Sequence, residues 1–113
     1  MCGVMGFVKT ANPTVMTWPV MRNTFTGIEI RGRDAAGFAV MGKRKVVCKR
    51  AMTASQMAKS KPFNRARTAE IMIGHARAAT HGSPRNNRNN HPFWTEDGRY
   101  VMVHNGIIFE NPE

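Results

Sequence analysis

The chain has 113 residues, a hydrophobic fraction of 42% and a formal net charge of +10. This length suits one domain with a modest core, and the hydrophobic content excludes an intrinsically disordered chain. No run approaches the roughly 20 apolar residues of a membrane helix, and the N-terminus lacks the pattern of a secretory signal. Two cysteines are too few for a disulfide framework, so we expect a cytoplasmic protein.

The first half of the chain predicts a strand, a segment interrupted by proline and a hairpin. Residues 2–9 are a short apolar run typical of a buried strand. The Asn-Pro-Thr sequence at 12–14 is typical of a helix start, but Pro19 argues against an undisturbed helix after it. Residues 36–42 and 45–52 predict two strands joined by a basic turn.

The second half predicts a short helix followed by two strands. Residues 53–61 suit a helix capped by Thr53 or Ser55. Residues 71–79 and 100–108 are apolar strand candidates, separated by a loop rich in Asn, Arg, Gly and Pro. The order is mixed α and β without an internal repeat, which predicts an α+β fold.

Cys2 is the first candidate for chemistry. Removal of Met1 would leave this cysteine with both a thiol and a free α-amine. A thiolate is a strong nucleophile, and an amine held beside it can act as its general base. A cysteine at the second position of an arbitrary chain is more often accidental, so its weight depends on the segments that follow.

Four further segments with polar residues follow in chain order: RGRDAAG at 31–37, GHARAATHG at 74–82, NHPF at 90–93 and VHNGII at 103–108. Together with the opening CGVMG they closely resemble the class II glutamine amidotransferases, which are N-terminal nucleophile hydrolases. The THG and HNGII sequences look most like the glucosamine-6-phosphate synthase branch. Each motif alone is weak, but five in family order make a specific signal.

The resemblance implies an αββα sandwich of the N-terminal nucleophile hydrolase type. Glutaminase domains of the family continue well beyond 113 residues, so we expect residues 1–113 to be a C-terminally truncated domain with an incomplete sandwich. The Asn-Pro-Glu sequence at 111–113 predicts a helix start at the same place. We therefore expect the isolated chain to form a homo-oligomer or to bind a complementary chain.

The resemblance also implies hydrolysis of the glutamine side-chain amide to glutamate and ammonia through a Cys2 thioester, without a cofactor. Asn105 and Gly106 match the family's oxyanion hole, although an Asn-Gly pair is also a common hairpin turn. The residue types suit the reaction, because amide hydrolysis needs a nucleophile, a proton shuttle and donors for an oxyanion. The ammonia would pass to a partner synthase.

The resemblance assigns Arg77 to the α-carboxylate of glutamine, which the planar guanidinium can bind through two hydrogen bonds. Taken alone, Arg77 would more often be a surface or salt-bridge residue. Thr80 and His81 are expected to line the same pocket. Arg31 and Asp34 are expected to form an ion pair that orders a loop near the nucleophile, a structural role.

The histidines raise the question of a metal site. They lack HExxH or comparable zinc spacing, so the sequence predicts no metal. The family resemblance makes them packing and loop-ordering residues; they are His75, His81, His91 and His104.

The positive charge supports an alternative. Residues 35–69 contain nine Lys and Arg and no acidic residue. A solvated basic face is at least as common an explanation, and no aromatic interleaving or nucleic-acid motif accompanies these charges. The competing hypothesis is a catalytically silent domain that binds protein or nucleic acid. The positive charge is the sole sequence feature that supports a nucleic-acid partner.

Overall fold

A four-stranded antiparallel sheet organises the described residues, which are 2–11 and 17–106 of a computed structural model. Its strands are β1 (Gly3–Val8), β2 (Ala35–Gly42), β3 (Val46–Arg50) and β4 (Ala69–Arg77), in the order β1-β4-β2-β3. A second, two-stranded sheet pairs β5 (Phe93–Trp94) with β6 (Val101–Met102). The α+β class predicted from the sequence is therefore confirmed.

The longest helix is α1 (Thr17–Gly27), and it continues through Pro19. The helix is described from Thr17 to Gly27 and is not broken at Pro19. The expected disturbance at Pro19 is therefore wrong for this described part. The helix start predicted at residues 12–14 lies outside the described residues.

Two four-residue helices replace the single helix predicted over residues 53–61. Thr53 caps α2 (Ala54–Met57) as predicted, because its side chain accepts the Gln56 N–H at 3.1 Å while the Gln56 side chain accepts the Thr53 N–H at 2.9 Å. Ser60 then caps α3 (Lys61–Asn64). A turn over residues 58–60 separates the two helices.

The predicted strand over 100–108 is wrong in its described part. Only Val101–Met102 is a strand, and residues 103–106 have no regular structure. Two polar groups of this segment bond to distant parts of the chain: the His104 carbonyl contacts the His75 side chain, and the Asn105 side chain accepts the Cys2 backbone N–H. Residues 107–108 and the predicted helix start at 111–113 lie outside the described residues.

The core lies between the helices and one face of the sheet. The rings of Phe25, Phe38 and Phe63 are fully buried, with centroids 4.9 to 6.0 Å apart. A side-chain carbon at Gly74 would lie 2.8 Å from the Phe25 ring, so this glycine lets α1 pack directly on β4. Truncating Phe25 to alanine would destabilise the fold by about 3–5 kcal/mol.

The opposite face of the sheet carries candidate site residues at one end and exposed apolar residues elsewhere. Strand alternation puts Ile71, Ile73, His75 and Arg77 of β4 on this face. Ile71 is exposed, whereas His75 and Arg77 are buried under residues 81–104. Among the helices of the described ranges, none has the length and apolar character needed to cross a membrane.

Candidate active site

Cys2 lies immediately before β1, beside the residue that follows the end of β4. The antiparallel register pairs Gly3 with Ala76, which places the start of β1 beside the end of β4. The Ala78 N–H donates to the Cys2 Sγ at 3.4 Å, and the Cys2 N–H donates to Asn105 Oδ1 at 3.1 Å. The half-buried Cys2 is thus held through its thiol by the Ala78 backbone and through its own backbone N–H by Asn105, the candidate oxyanion residue.

The segment before β2 packs against the same strand end. A side-chain carbon at Gly32 would lie 2.4 Å from the carbonyl carbon of Arg77, so only glycine allows this approach. The Asp34 N–H donates to the Arg77 carbonyl at 2.9 Å, and Asp34 Oδ2 accepts the Ala79 N–H at 2.8 Å. Asp34 therefore orders the residues beside Cys2, while its ion pair with Arg31 stays a prediction.

The Arg77 side chain is buried, with 6% of its surface exposed, and it fastens the loop that follows β4. Its Nη1 donates to Asn90 Oδ1 at 2.9 Å, and its Nη2 donates to the carbonyls of His81 and Gly82, the latter at 2.7 Å. A guanidinium has five N–H donors, so these three bonds do not use the whole group. Binding of a substrate carboxylate by Arg77 stays a prediction beside this structural role.

Asn90 is a site residue to which the sequence assigned no role. Its side chain is fully buried and donates to the Pro84 carbonyl at 2.8 Å and to Asn87 Oδ1 at 3.0 Å, while it accepts from Arg77. Its own carbonyl accepts from Lys49 Nζ at 2.9 Å. The NHPF motif contained this residue, but no local pattern revealed which partners it would meet.

Three of the four histidines form one cluster, and two of them also line the cleft described below. The His75 ring stacks on the His91 ring at a centroid distance of 3.8 Å and an interplanar angle of 15°. His104 contacts His91 edge-on at 4.8 Å. A side-chain carbon at Gly37 would lie 1.8 Å from the His91 carbonyl oxygen, so the absence of a side chain there makes room for the stack.

Burial keeps two of these imidazoles neutral. Loss of hydration lowers the pKa of His75 to about 4 and that of His91 to about 3, and neighbouring histidines and Arg77 act in the same direction. The Nδ1 atoms of both rings are buried without a hydrogen-bond partner among the described residues. In the same part of the chain, no group of three His, Cys, Asp or Glu is placed to hold a metal ion.

These elements enclose a cleft of about 240 Å³. It brings together five of the residues singled out from the sequence, which are Cys2, Arg77, Thr80, His81 and Gly106. Asn105 adjoins the cleft through its bond to the Cys2 backbone. Asp34 does not line the cleft, but it accepts the N–H of Ala79, which follows the lining residue Ala78. Five lining residues had no predicted substrate contact, namely Ala78, Asn89, His91, Phe93 and His104.

Several curated proteins are similar to this chain, and the similarity covers nearly the whole of it. A Thermus thermophilus protein named glutamine–fructose-6-phosphate aminotransferase (isomerizing) is 41% identical over 112 residues, which are 98% of this chain and 17% of the relative. Proteins of the same name from Listeria monocytogenes and Caldanaerobacter subterraneus are 37% and 33% identical, each over 96% of this chain and 17% of the relative.

The chain thus spans 17% of the length of the curated relatives it matches. No family model matches the chain. The relatives therefore show a resemblance over nearly the whole of this chain.

Proposed function

We propose that this chain is the nucleophile-bearing part of a class II glutamine amidotransferase and that it hydrolyses the side-chain amide of glutamine to glutamate and ammonia. The observation that carries the proposal is the meeting of Cys2, Arg77 and the 105–106 segment at one cleft. The relatives support glutamine as the substrate, because each carries glutamine and aminotransferase in its name.

In the first step the Cys2 thiol, deprotonated by the α-amine that removal of Met1 exposes, attacks the side-chain carbonyl carbon of glutamine. The carbon–sulfur bond forms and the carbonyl electrons move to oxygen. Asn105 Nδ2 and the Gly106 N–H then donate to this oxyanion. The contact of Asn105 Oδ1 with the Cys2 N–H supports this role, since it leaves the other end of the amide as a donor.

In the second step the carbon–nitrogen bond breaks, and the leaving amine takes the proton held by the Cys2 ammonium to depart as ammonia. The thioester that remains is attacked by water, which releases glutamate and restores the thiol. One water is consumed and one ammonia released in each turnover. The ammonia acceptor would belong to a partner synthase, as the aminotransferase names of the longer relatives suggest.

We assign recognition of the α-carboxylate to Arg77, with Thr80 and His81 lining the pocket. The burial of Arg77 supports this role, because a carboxylate in a site sheltered from water interacts more strongly with a guanidinium. Its bonds to the 81–90 loop also fix its orientation before substrate arrives. A side chain that is already held in its binding orientation loses less conformational entropy when the substrate binds.

We also assign the fold to the N-terminal nucleophile hydrolase type. Two features support this, namely Cys2 at the head of the edge strand β1 and the packing of the three described α-helices on the same face of the four-stranded sheet. These features correspond to one α/β half of an αββα sandwich. The exposed apolar side chains on the other face, such as Val8 at 70% and Ile71 at 48%, fit a face that receives a second layer.

The test measures ammonia and glutamate released from glutamine by the purified chain, alone and with a candidate partner synthase. Wild-type chain and a Cys48→Ala variant should both turn over, while Cys2→Ala should be inactive with an unchanged unfolding curve. Cys48 is the matched control because it is buried in the helix-side core, away from the cleft. Equal activity of Cys2→Ala and wild type would refute the proposal.

One observation favours the second candidate, anion binding by a silent domain. A cleft of about 510 Å³ at α2–α3 is lined by Lys59, Lys61 and Arg65, and none of the three has an ion-pair partner within residues 2–11 and 17–106. Binding of a single-stranded oligonucleotide should then weaken steeply with salt. The triple Gln variant at these positions should lose more affinity than a Lys43→Gln, Arg44→Gln control.

A further inference from the structure

We infer that His75 is a positioning residue for the candidate oxyanion donors. The inference rests on the proposed glutaminase function and concerns how the 103–106 segment is held. His75 lies on the central strand β4, where its register partners are Val4 of the nucleophile strand and Gly37 of β2. This residue is fully buried and sits two positions before Arg77.

The connection to the donors is a single hydrogen bond. His75 Nε2 lies 2.9 Å from the carbonyl oxygen of His104. A carbonyl can only accept, so Nε2 carries the ring proton and Nδ1 is the bare nitrogen. The assignment agrees with the surroundings, because the buried Nδ1 has no donor or acceptor beside it among the described residues.

This hydrogen bond matters because the His104 carbonyl lies directly before the candidate oxyanion donors. The His104 carbonyl belongs to the peptide that leads into Asn105, and Gly106 supplies the next backbone N–H. Among the described residues, two side-chain hydrogen bonds reach the 103–106 segment: one joins His75 to the His104 carbonyl and the other joins Cys2 to Asn105. The first therefore fixes the peptide plane before the donors, and the second fixes the donor side chain against the nucleophile.

The ring of His75 is itself fixed by packing. His91 stacks on it at 3.8 Å and is held against Gly37, where no side chain stands in the way. A rigid ring on the central strand transmits the strand's position to the peptide it contacts. Small displacements of a donor matter, because an oxyanion hole acts only when its N–H groups lie about 3 Å from the developing charge.

The test uses three variants of the full chain. His75→Phe keeps a stacking ring without the N–H, His75→Gln can offer an amide N–H near the position of Nε2, and His75→Asn offers one only near that of Nδ1. We expect His75→Phe and His75→Asn to lower kcat roughly tenfold to a hundredfold, with KM changed less than about threefold. His75→Gln should restore part of that loss.

A double-variant comparison separates positioning from general damage. In an Asn105→Ala background, His75→Phe should lower kcat much less than it does alone, because the donor it positions is already gone. Additive losses, a change confined to KM, or equal kcat for His75→Gln and His75→Asn would overturn the inference. If His75→Phe does not fold, the Gln and Asn pair decides the matter alone.

Hydrogen exchange of the Gly106 amide gives a readout that does not need turnover. Exchange should quicken in His75→Phe and His75→Asn and stay closer to wild type in His75→Gln, and identical rates in all four proteins would overturn the inference. An inactive wild-type chain that still shows this exchange pattern would refute the proposed function while supporting the positioning role of His75.

Discussion

The backbone N–H of Cys2 donates to the side-chain oxygen of Asn105 at 3.1 Å, although 103 positions separate the two residues. Cys2 precedes the edge strand β1, and Asn105 follows the small β5–β6 sheet. Their contact joins the first and last described parts of the chain and gives the Asn105 amide one orientation. An amide whose oxygen accepts from the Cys2 backbone presents its N–H₂ end as a donor elsewhere.

Asn105→Ala should lower kcat by a factor of about 10² to 10³, which is roughly 3 kcal/mol, because one oxyanion donor is lost. KM for glutamine should change little, since the donor acts mainly in the transition state. Steady-state kinetics checks this, with Asn64→Ala on exposed α3 as the control. A rise in KM at constant kcat would instead assign Asn105 to ground-state binding.

An electrophilic glutamine analogue should label Cys2 and leave Cys48 unmodified. Cys2 is half-buried at the cleft, whereas Cys48 is buried in β3, where burial raises the pKa of its thiol. A raised pKa means less thiolate and slower reaction. Peptide mass mapping after labelling checks this. Equal modification of both cysteines would mean that the cleft gives Cys2 no particular reactivity.

Met1 should be absent from the chain purified from cells, because the proposed mechanism needs the free amine of Cys2. The small side chain of Cys2 suits removal of the initiating methionine by an aminopeptidase. Intact-protein mass spectrometry would show a loss equal to one methionine residue. If every molecule retained Met1, the amine could not act as base, and only the non-catalytic hypothesis would remain.

Arg77→Ala and Asn90→Ala should separate the two roles assigned to Arg77. Arg77→Ala removes the positive charge and three bonds to the loop, so it should raise KM at least tenfold and destabilise the fold by about 1–3 kcal/mol. Asn90→Ala breaks the same loop and keeps the charge, so it should lower stability with a smaller rise in KM. Equal KM values would mean that Arg77 acts only through the loop.

Apolar runs predicted β1, β2, β3 and β4 well, because a strand in a core needs the same residue types wherever it pairs. The meeting of Cys2, Arg77 and Asn105 could be expected only through the family resemblance, since no local pattern determines contacts across 103 positions. The histidine stack depends on Gly37 having no side chain, and the sequence does not show that Gly37 and His91 meet in the folded chain. In the described part of the strand predicted at 100–108, residues 103–106 are not a strand, and the His104 carbonyl and the Asn105 side chain there bond to His75 and Cys2.

The histidine cluster should make the fold less stable as the pH falls below about 6.5. In the unfolded chain a histidine ionises near pH 6.5, whereas burial lowers the pKa to about 4 for His75 and about 3 for His91. Between these values the unfolded state binds more protons than the folded state. The free energy of unfolding therefore decreases as pH drops from about 6.5 toward 4, by an amount on the order of a few kcal/mol.

Denaturant unfolding at a series of pH values would measure this slope. Above pH 7 both states hold neutral rings, so these two histidines should add no pH dependence there. His75→Gln removes one of the two titrations and should flatten the curve between pH 4 and 6.5, with its main effect in that window. A wild-type curve without a slope there would mean that the cluster is open to water and that its rings carry no burial penalty.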